Sequence, residues 1–470
     1  MRLTRTQLVL TLSVSAALLP LAGCSKKSRR SSASTAAPTQ SGTTGATTSG
    51  TGGVAGNTSN TGTIGGITSG GSSGGGTAGG GNTSSGGSNT GATPAGFQGG
   101  TGVFLDFSAL LPNSTALDYG ADATDLDGDG DVDIAIAARA SDSRVLFNNG
   151  QAGFAQRAGA FPATAMQAND VRAVDVDKDG DMDLLFASNF EPVRLFTNDG
   201  QGVFTLAQEF NTGNDCYTYN LAIGDANGDG YEDVFAVNAG QNTPSQGQNK
   251  LFLNTNGRFA EAPAGRIPVK FDDSLDATFL DVDGDGDKDI FVANFGTPHS
   301  LLINDGTGTF ANRADVWIPP ALTRYGTSIG QADMNNDGKI DLYVANEGVG
   351  ANGAPPPGEE NSLLIQTTGR FEDQSTARVP GDAEASFAVR LVDVNGDGWQ
   401  DVLVSNLRAV QRLYLNQQGV LVDATQNLPA VNNTPYDSLG LTIGDFNGDR
   451  APDVLFVRRG QKPWLFLNVP

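Results

Sequence analysis

One short element recurs seven times along the chain and limits what it can fold into. The element is Asp-x-Asp/Asn-x-Asp-Gly-x-x-Asp. It begins at Asp125 (DLDGDGDVD), Asp175 (DVDKDGDMD), Asp225 (DANGDGYED), Asp281 (DVDGDGDKD), Asp333 (DMNNDGKID), Asp393 (DVNGDGWQD) and Asp445 (DFNGDRAPD). The spacings are 50, 50, 56, 52, 60 and 52 residues. A repeat of this period is the signature of a solenoid, a propeller or another array of supersecondary units. Each copy runs directly into a β-type apolar stretch: IAIAA, LLFAS, VFAVN, IFVAN, LYVAN, VLVSN and VLFVR.

A second strand follows in each unit, as in Val145-Leu146-Phe147 or Arg412-Leu413-Tyr414. A Gly/Asn turn leads to a third that opens with Gly-x-Phe (Gly202-Val203-Phe204, Gly257-Arg258-Phe259, Gly308-Thr309-Phe310, Gly369-Arg370-Phe371). Another short strand, such as Leu221-Ala222-Ile223, enters the next Asp loop. Four strands per unit is the composition of a propeller blade. The expected fold is all-β, a seven-bladed β-propeller over residues 101–470. The chain stops at Trp464-Leu465-Phe466-Leu467-Asn468, before the seventh Gly-x-Phe strand. That strand occurs at the other end, as Gly102-Val103-Phe104-Leu105-Asp106-Phe107. An N-terminal strand completing the last blade would remove the open edge and carry Val103, Leu105 or their partners into the core. An open β-solenoid is the alternative, and it would need no such strand.

The loops themselves read as cation sites. A hard cation such as Ca²⁺ takes six to eight oxygen ligands. Position 1 is Asp125, Asp175, Asp225, Asp281, Asp333, Asp393 and Asp445. Position 3 is Asp127, Asp177, Asn227, Asp283, Asn335, Asn395 and Asn447. Position 5 is Asp129, Asp179, Asp229, Asp285, Asp337, Asp397 and Asp449. Position 9, which closes the cage, is Asp133, Asp183, Asp233, Asp289, Asp341, Asp401 and Asp453. Gly at position 6 permits the sharp turn, and position 7 offers a backbone carbonyl. EF-hands begin alike but need a bidentate Glu at position 12. Here position 12 is Ile136, Phe186, Ala236, Val292, Val344, Val404 or Phe456, so that reading is excluded. Of the 52 acids, 24 occupy positions 1, 3, 5 and 9. Like charges this close oppose folding unless a cation sits among them.

These loops at blade spacing resemble the FG-GAP/VCBS repeat family, best known from the β-propeller of integrin α subunits. The resemblance covers residues 101–470. It implies one Ca²⁺ per loop, up to seven, on the rim of one face. The seventh loop departs from the pattern, with Arg450 in place of Gly at position 6 and Pro452 before Asp453. Its site is expected to be the weakest.

Residues 1–100 are of a different kind. Arg2 and Arg5 precede the apolar run Leu8–Leu21, which ends in Leu21-Ala22-Gly23-Cys24. The run is short for a membrane span and is broken by Pro20. Its end resembles the lipobox of bacterial lipoproteins. That implies a signal peptide at 1–23, acylation of Cys24 and, with Ser25 following, passage to the outer membrane. Residues 24–100 then form a Ser/Thr/Gly-rich tether with too few apolar groups to order. Its root-mean-square span would be roughly 45–50 Å.

Composition narrows function. Residues 1–100 contain no acid and six bases, so the 29 Lys+Arg leave 23 for residues 101–470 against all 52 acids, a net of −29. Such a body repels nucleic acid and anionic lipid. The lone histidine, His299, argues against histidine chemistry and is expected to be a solvated loop residue. The two cysteines, Cys24 and Cys216, exclude a disulfide scaffold, and Cys216 reads as a structural thiol. Asn238, Asn294, Asn346 and Asn406 end equivalent strands, where capping is the first expectation and a polar ligand ring the second. The expected function is a surface-tethered, monomeric binding or adhesion module for a protein or glycan partner. It would touch the membrane only through its lipid and bind partners through loops such as Glu347–Asn361 and Gln241–Asn249. The alternative is a polysaccharide lyase or hydrolase on the same scaffold, though no carboxylate pair stands out beyond the Asp loops.

Overall fold

A computed structural model of the chain describes residues 97–163, 165–213, 217–240, 247–320, 322–349, 358–381 and 383–470. Cys24, Cys216, the signal peptide and nearly all of the tether lie outside the described residues, as do 241–246 and 350–357 within the two long loops. The chain divides into Met1–Ala78 and Gly79–Pro470, and every described residue belongs to the second unit.

The described part is built from antiparallel strands with a few single-turn helices. Among the described residues no helix is long and apolar enough to cross a membrane. The strands pair as seven successive meanders. Their inner strands are Leu117–Thr124, Ala165–Val174, Tyr217–Gly224, Ser274–Leu280, Gly326–Ala332, Ser386–Val392 and Tyr436–Gly444. Each inner strand ends in an Asp loop, and position 9 of that loop starts the second strand: Asp133, Asp183, Asp233, Asp289, Asp341, Asp401 or Asp453. Because every loop is the same hairpin of its meander, all of them fall at the same end of the strands. A third and a fourth strand follow, as in Lys250–Asn254 and Phe259–Glu261. The first meander is the exception, since its fourth strand is reduced to one bridge, Phe147 to Ala155.

Burial shows how the meanders assemble. The second strands are apolar on both faces, as expected of strands packed between two sheets. Seven hydrophobic clusters result, each shared by two consecutive meanders. One joins last to first, packing Leu455, Val457 and Leu465 against Ile134, Ile136 and Leu146. The meanders therefore close into a ring, which is the architecture of a β-propeller.

The N-terminal strand Phe104–Asp106 pairs antiparallel with Trp464–Asn468, as Phe104 to Asn468 and Asp106 to Phe466. It is the fourth strand of the last meander. The residue of this strand that is buried is neither Val103 nor Leu105. Phe104 is 2% exposed, whereas Val103 is 41% and Leu105 52% exposed. Strand alternation puts neighbours on opposite faces, and here Phe104 faces the core while Val103 and Leu105 face outward.

Every inner strand carries a bulge near its start. The extra residues are Tyr119, Asn169, Tyr219, Leu275, Thr327, Phe387 and Leu439. A bulge leaves one residue unpaired and re-aims its side chain, and all seven of these residues line a depression at the ring axis.

Candidate functional site

Each Asp loop is wound around its first carboxylate. In the first loop Asp125 Oδ1 accepts from Gly128 N at 2.8 Å, and Oδ2 from Gly130 N at 3.0 Å. The loops at Asp225, Asp281 and Asp393 repeat this pair. Position 5 accepts from the position 7 N–H, as Asp129 Oδ1 does from Asp131 N at 2.9 Å. Glycine at position 6 takes φ between 84 and 98°, as expected, and Arg450 takes the same left-handed conformation at 69°. The sequence reading missed position 4, which is also left-handed in all seven loops: Gly128, Lys178, Gly228, Gly284, Asn336, Gly396 and Gly448. The signal was available, since Gly and Asn are the residues that tolerate this region.

Position 9 is buried and does two structural tasks. Its Oδ2 accepts the N–H of position 2 at 2.9–3.3 Å. Its Oδ1 accepts the N–H of a residue at or within two positions of the third strand's end, at 2.7–2.8 Å. That residue is Asn148, Asn198, Asn254, Asn304, Gln366, Asn416 or Asn468. Its side-chain amide in turn donates to the position 2 carbonyl of the preceding meander's Asp loop, at 2.6–2.9 Å. Neighbouring loops are thus tied together all round the ring. These amides were also missed, although in five repeats they stand 15 residues after position 9.

Burial raises the carboxyls at position 9 well above the usual range, against the opposing pull of their backbone N–H partners. Asp133, Asp183, Asp233, Asp341 and Asp401 are pushed up to about 7. Asp289 is pushed to about 6 and Asp453 to about 8. The remaining acids of each loop add like charge. A cation among them would favour the ionised forms.

In three of the seven loops three carboxylates converge as a cation requires, and in the four with Asn at position 3 no such trio forms among the described residues. One oxygen each from Asp125, Asp127 and Asp133 lie within 4.8 Å of one another, and the same holds for Asp175, Asp177 and Asp179, and for Asp281, Asp283 and Asp285. Asp127 Oδ1 and Asp177 Oδ1 are buried without a hydrogen-bond partner. Orphaned carboxylate oxygens inside an all-oxygen donor set suit a hard cation. A resident cation competes at the first loop, where Arg157 Nη1 lies 3.2 Å from Asp127 Oδ2.

Two other expectations are settled at the opposite ends of the strands. His299 is 1% exposed rather than solvated. Its Nδ1 accepts the N–H of Asn294 at 3.1 Å, a task performed elsewhere by Asn249, Gln411 and Asn361 for Asn238, Asn406 and Asn346. Burial lowers it to about 4, helped by Lys270 and Arg324. The four asparagines are strand-end caps. Their amides donate to the Gln248, Pro298, Glu360 and Val410 carbonyls at 2.8 Å.

Several solved structures are similar to this chain at low identity. BBS1N in complex with ARL6DN, in a mercury-soaked crystal, is 13% identical over 78% of this chain and 97% of that one, with a TM-score of 0.49. The BP39L lectin from Burkholderia pseudomallei is 14% identical over 73% of this chain and 93% of that one, with a TM-score of 0.48. No curated protein matches the sequence. The repeats themselves match a family described as FG-GAP-like repeat, at residues 125–186, 175–236, 227–292, 281–344 and 393–456. Each match begins at or within an Asp loop and ends in the second strand of the following meander. Together they span more than half of the sequence, and this chain belongs to the FG-GAP-like repeat family of β-propeller proteins.

Proposed function

We propose that the protein is a calcium-stabilised binding module, its seven meanders acting as seven blades of a rigid disc. The observation that carries this reading is the ring of Asp loops, three of which bring carboxylate oxygens within 4.8 Å of one another and each of which is bonded to the next through an amide. Positions 1, 3, 5 and 9 would hold Ca²⁺, and the ion would offset the repulsion among them. In this reading the metal has a structural role, bracing the rim so that the opposite face keeps its shape.

The partner in this reading is a protein or a glycan, since FG-GAP propellers are interaction folds. Fold alone does not name a ligand. The body's net charge of −29 disfavours nucleic acid and anionic membrane as partners. Acylation of Cys24 would hold the disc at the outer membrane as a monomer, on a tether of residues 24–100. The deciding experiment is calorimetry of the purified body with Ca²⁺ and with chelator. An unchanged melt would remove the metal from this reading. Fractionation of a Cys24→Ser variant tests the anchor, which should leave the membrane fraction.

A further inference from the structure

The ring axis holds a second constellation, remote from the Asp loops. The seven bulged residues surround a depression at the starts of the inner strands. It encloses about 60 Å³ of water-accessible space, room for about four to six water-sized groups at ~10–15 Å³ each. Its charged lining is balanced, with Asp170 and Asp276 against Arg172 and Arg390. Arg172 is consumed by Asp170, at 2.9 Å, and by the Asn220 side chain and the Leu221 carbonyl. Arg390 differs. Its Nη1 donates to the Val389 carbonyl at 2.9 Å, and among the described residues no carboxylate lies within ion-pair distance. A guanidinium has five N–H donors, so most of those on Arg390 are left for whatever fills the depression. Asp276 offers the matching acceptors, its oxygens each taking one backbone N–H.

The mouth above this floor is aromatic. Tyr219 and Phe387 come from the third and sixth meanders, yet their ring centres are 6.4 Å apart across the axis. Tyr119 stands beside them with the Arg139 guanidinium 3.7 Å from its ring centre. All three aromatic residues are half-buried, so each keeps accessible surface. Arg139 also reaches the Tyr219 ring at 5.9 Å.

We propose that this axial depression is a sugar-binding site that takes the edge of one neutral hexose at the end of a glycan. The proposal deepens the binding-module reading and rests on it. A neutral polyol satisfies donors and acceptors together, as this floor requires. With Arg139 at the mouth and the buried Asp122 behind Arg172 and Arg390, acids and bases stand three against three, and a charged ligand would upset that balance in a poorly solvated place. The C–H face of a pyranose matches the aromatic mouth, and a hydroxymethyl arm with a ring hydroxyl fits the small space beneath. A whole oligosaccharide does not fit, so recognition is end-on.

The test uses the full chain in Ca²⁺ with defined probes: the methyl glycosides of glucose, mannose and galactose, and the methyl glycosides of glucuronate and galacturonate. Saturation-transfer NMR and tyrosine fluorescence titration report binding. At least one neutral glycoside should saturate in the millimolar range, and its uronate counterpart should bind at least tenfold more weakly. Phe387→Ala, Tyr219→Ala and Arg390→Gln should each weaken binding about tenfold or more. Phe387→Leu keeps most of the volume while removing the ring face, and it serves if the alanine variant melts early. Failure of every neutral probe, tighter binding of a uronate, or wild-type affinity in Phe387→Leu would overturn the site. A protein partner captured in Ca²⁺ without any sugar binding would also overturn it, while leaving the binding-module reading intact.

Discussion

Asn148, just past the end of the first third strand, donates from Nδ2 to the carbonyl of Phe446, 298 residues later, at 2.9 Å. The same amide donates to Val132 at 3.0 Å, and its backbone N–H bonds Asp133 at 2.7 Å. One side chain therefore ties the first Asp loop to the seventh and closes the ring on the metal-loop side. Removing such an amide leaves buried carbonyls unsatisfied, at a cost of about 1–3 kcal/mol. Asn416, fully buried with bonds to Met334 and Gln400, makes the same connection between the fifth and sixth meanders. Asn148→Ala and Asn416→Ala should each lower the urea midpoint without changing its slope.

The closing strand is expected to depend on a single side chain. Phe104 is buried in the cluster shared by the sixth and seventh meanders with Val394, Leu441 and Phe466. Truncating a buried Phe costs about 3–5 kcal/mol, so Phe104→Ala should destabilise by about that much. Leu105→Ala should have far less effect, because Leu105 faces outward. A larger loss for Leu105→Ala than for Phe104→Ala in thermal melts would show that the strand's phase is reversed.

Calcium should raise the melting temperature. A ligand that binds only the native state adds about 2.7 kcal/mol per site at a hundredfold excess over Kd. The seventh loop should contribute least, because Arg450 holds a left-handed φ of 69° and brings a positive charge. Glycine there relieves about 1–2 kcal/mol of steric cost. Arg450→Gly should therefore stabilise the metal-free protein and raise the number of ions bound, as read by calorimetric titration.

His299 should make stability fall in acid. Its folded-state value is lowered to about 4, against about 6.5 in an unfolded chain. Above 6.5 both states are neutral and its contribution is complete. As pH falls from 6.5 toward 4 the unfolded chain takes up the proton first, and stability is lost. At about 1.4 kcal/mol per pH unit, the loss approaches about 3 kcal/mol. His299→Asn keeps the acceptor that Asn249 and Asn361 provide in other meanders, and should flatten this part of the profile. Denaturation midpoints of both proteins between pH 4 and 7 decide the matter.

The sequence by itself determined the repeat, the strand order, the candidate ligand set and the origin of the closing strand. Each of these rests on local chemistry: acids at alternate loop positions, glycine at a forced turn, apolar runs of strand length. Tertiary structure decided the rest. Whether Phe104 or its neighbours face the core depends on the phase set by pairing with Trp464–Asn468, and a one-residue shift reverses it. His299 reads as a loop residue until packing buries it beside Asn294. The amides from Asn148 to Asn468 read as turn residues until the ring brings each beneath the preceding Asp loop. Tyr219 and Phe387 are 168 residues apart in sequence. Only closure of the ring puts their bulged strands on opposite sides of one axis, because no local rule relates residues that never share a strand pair.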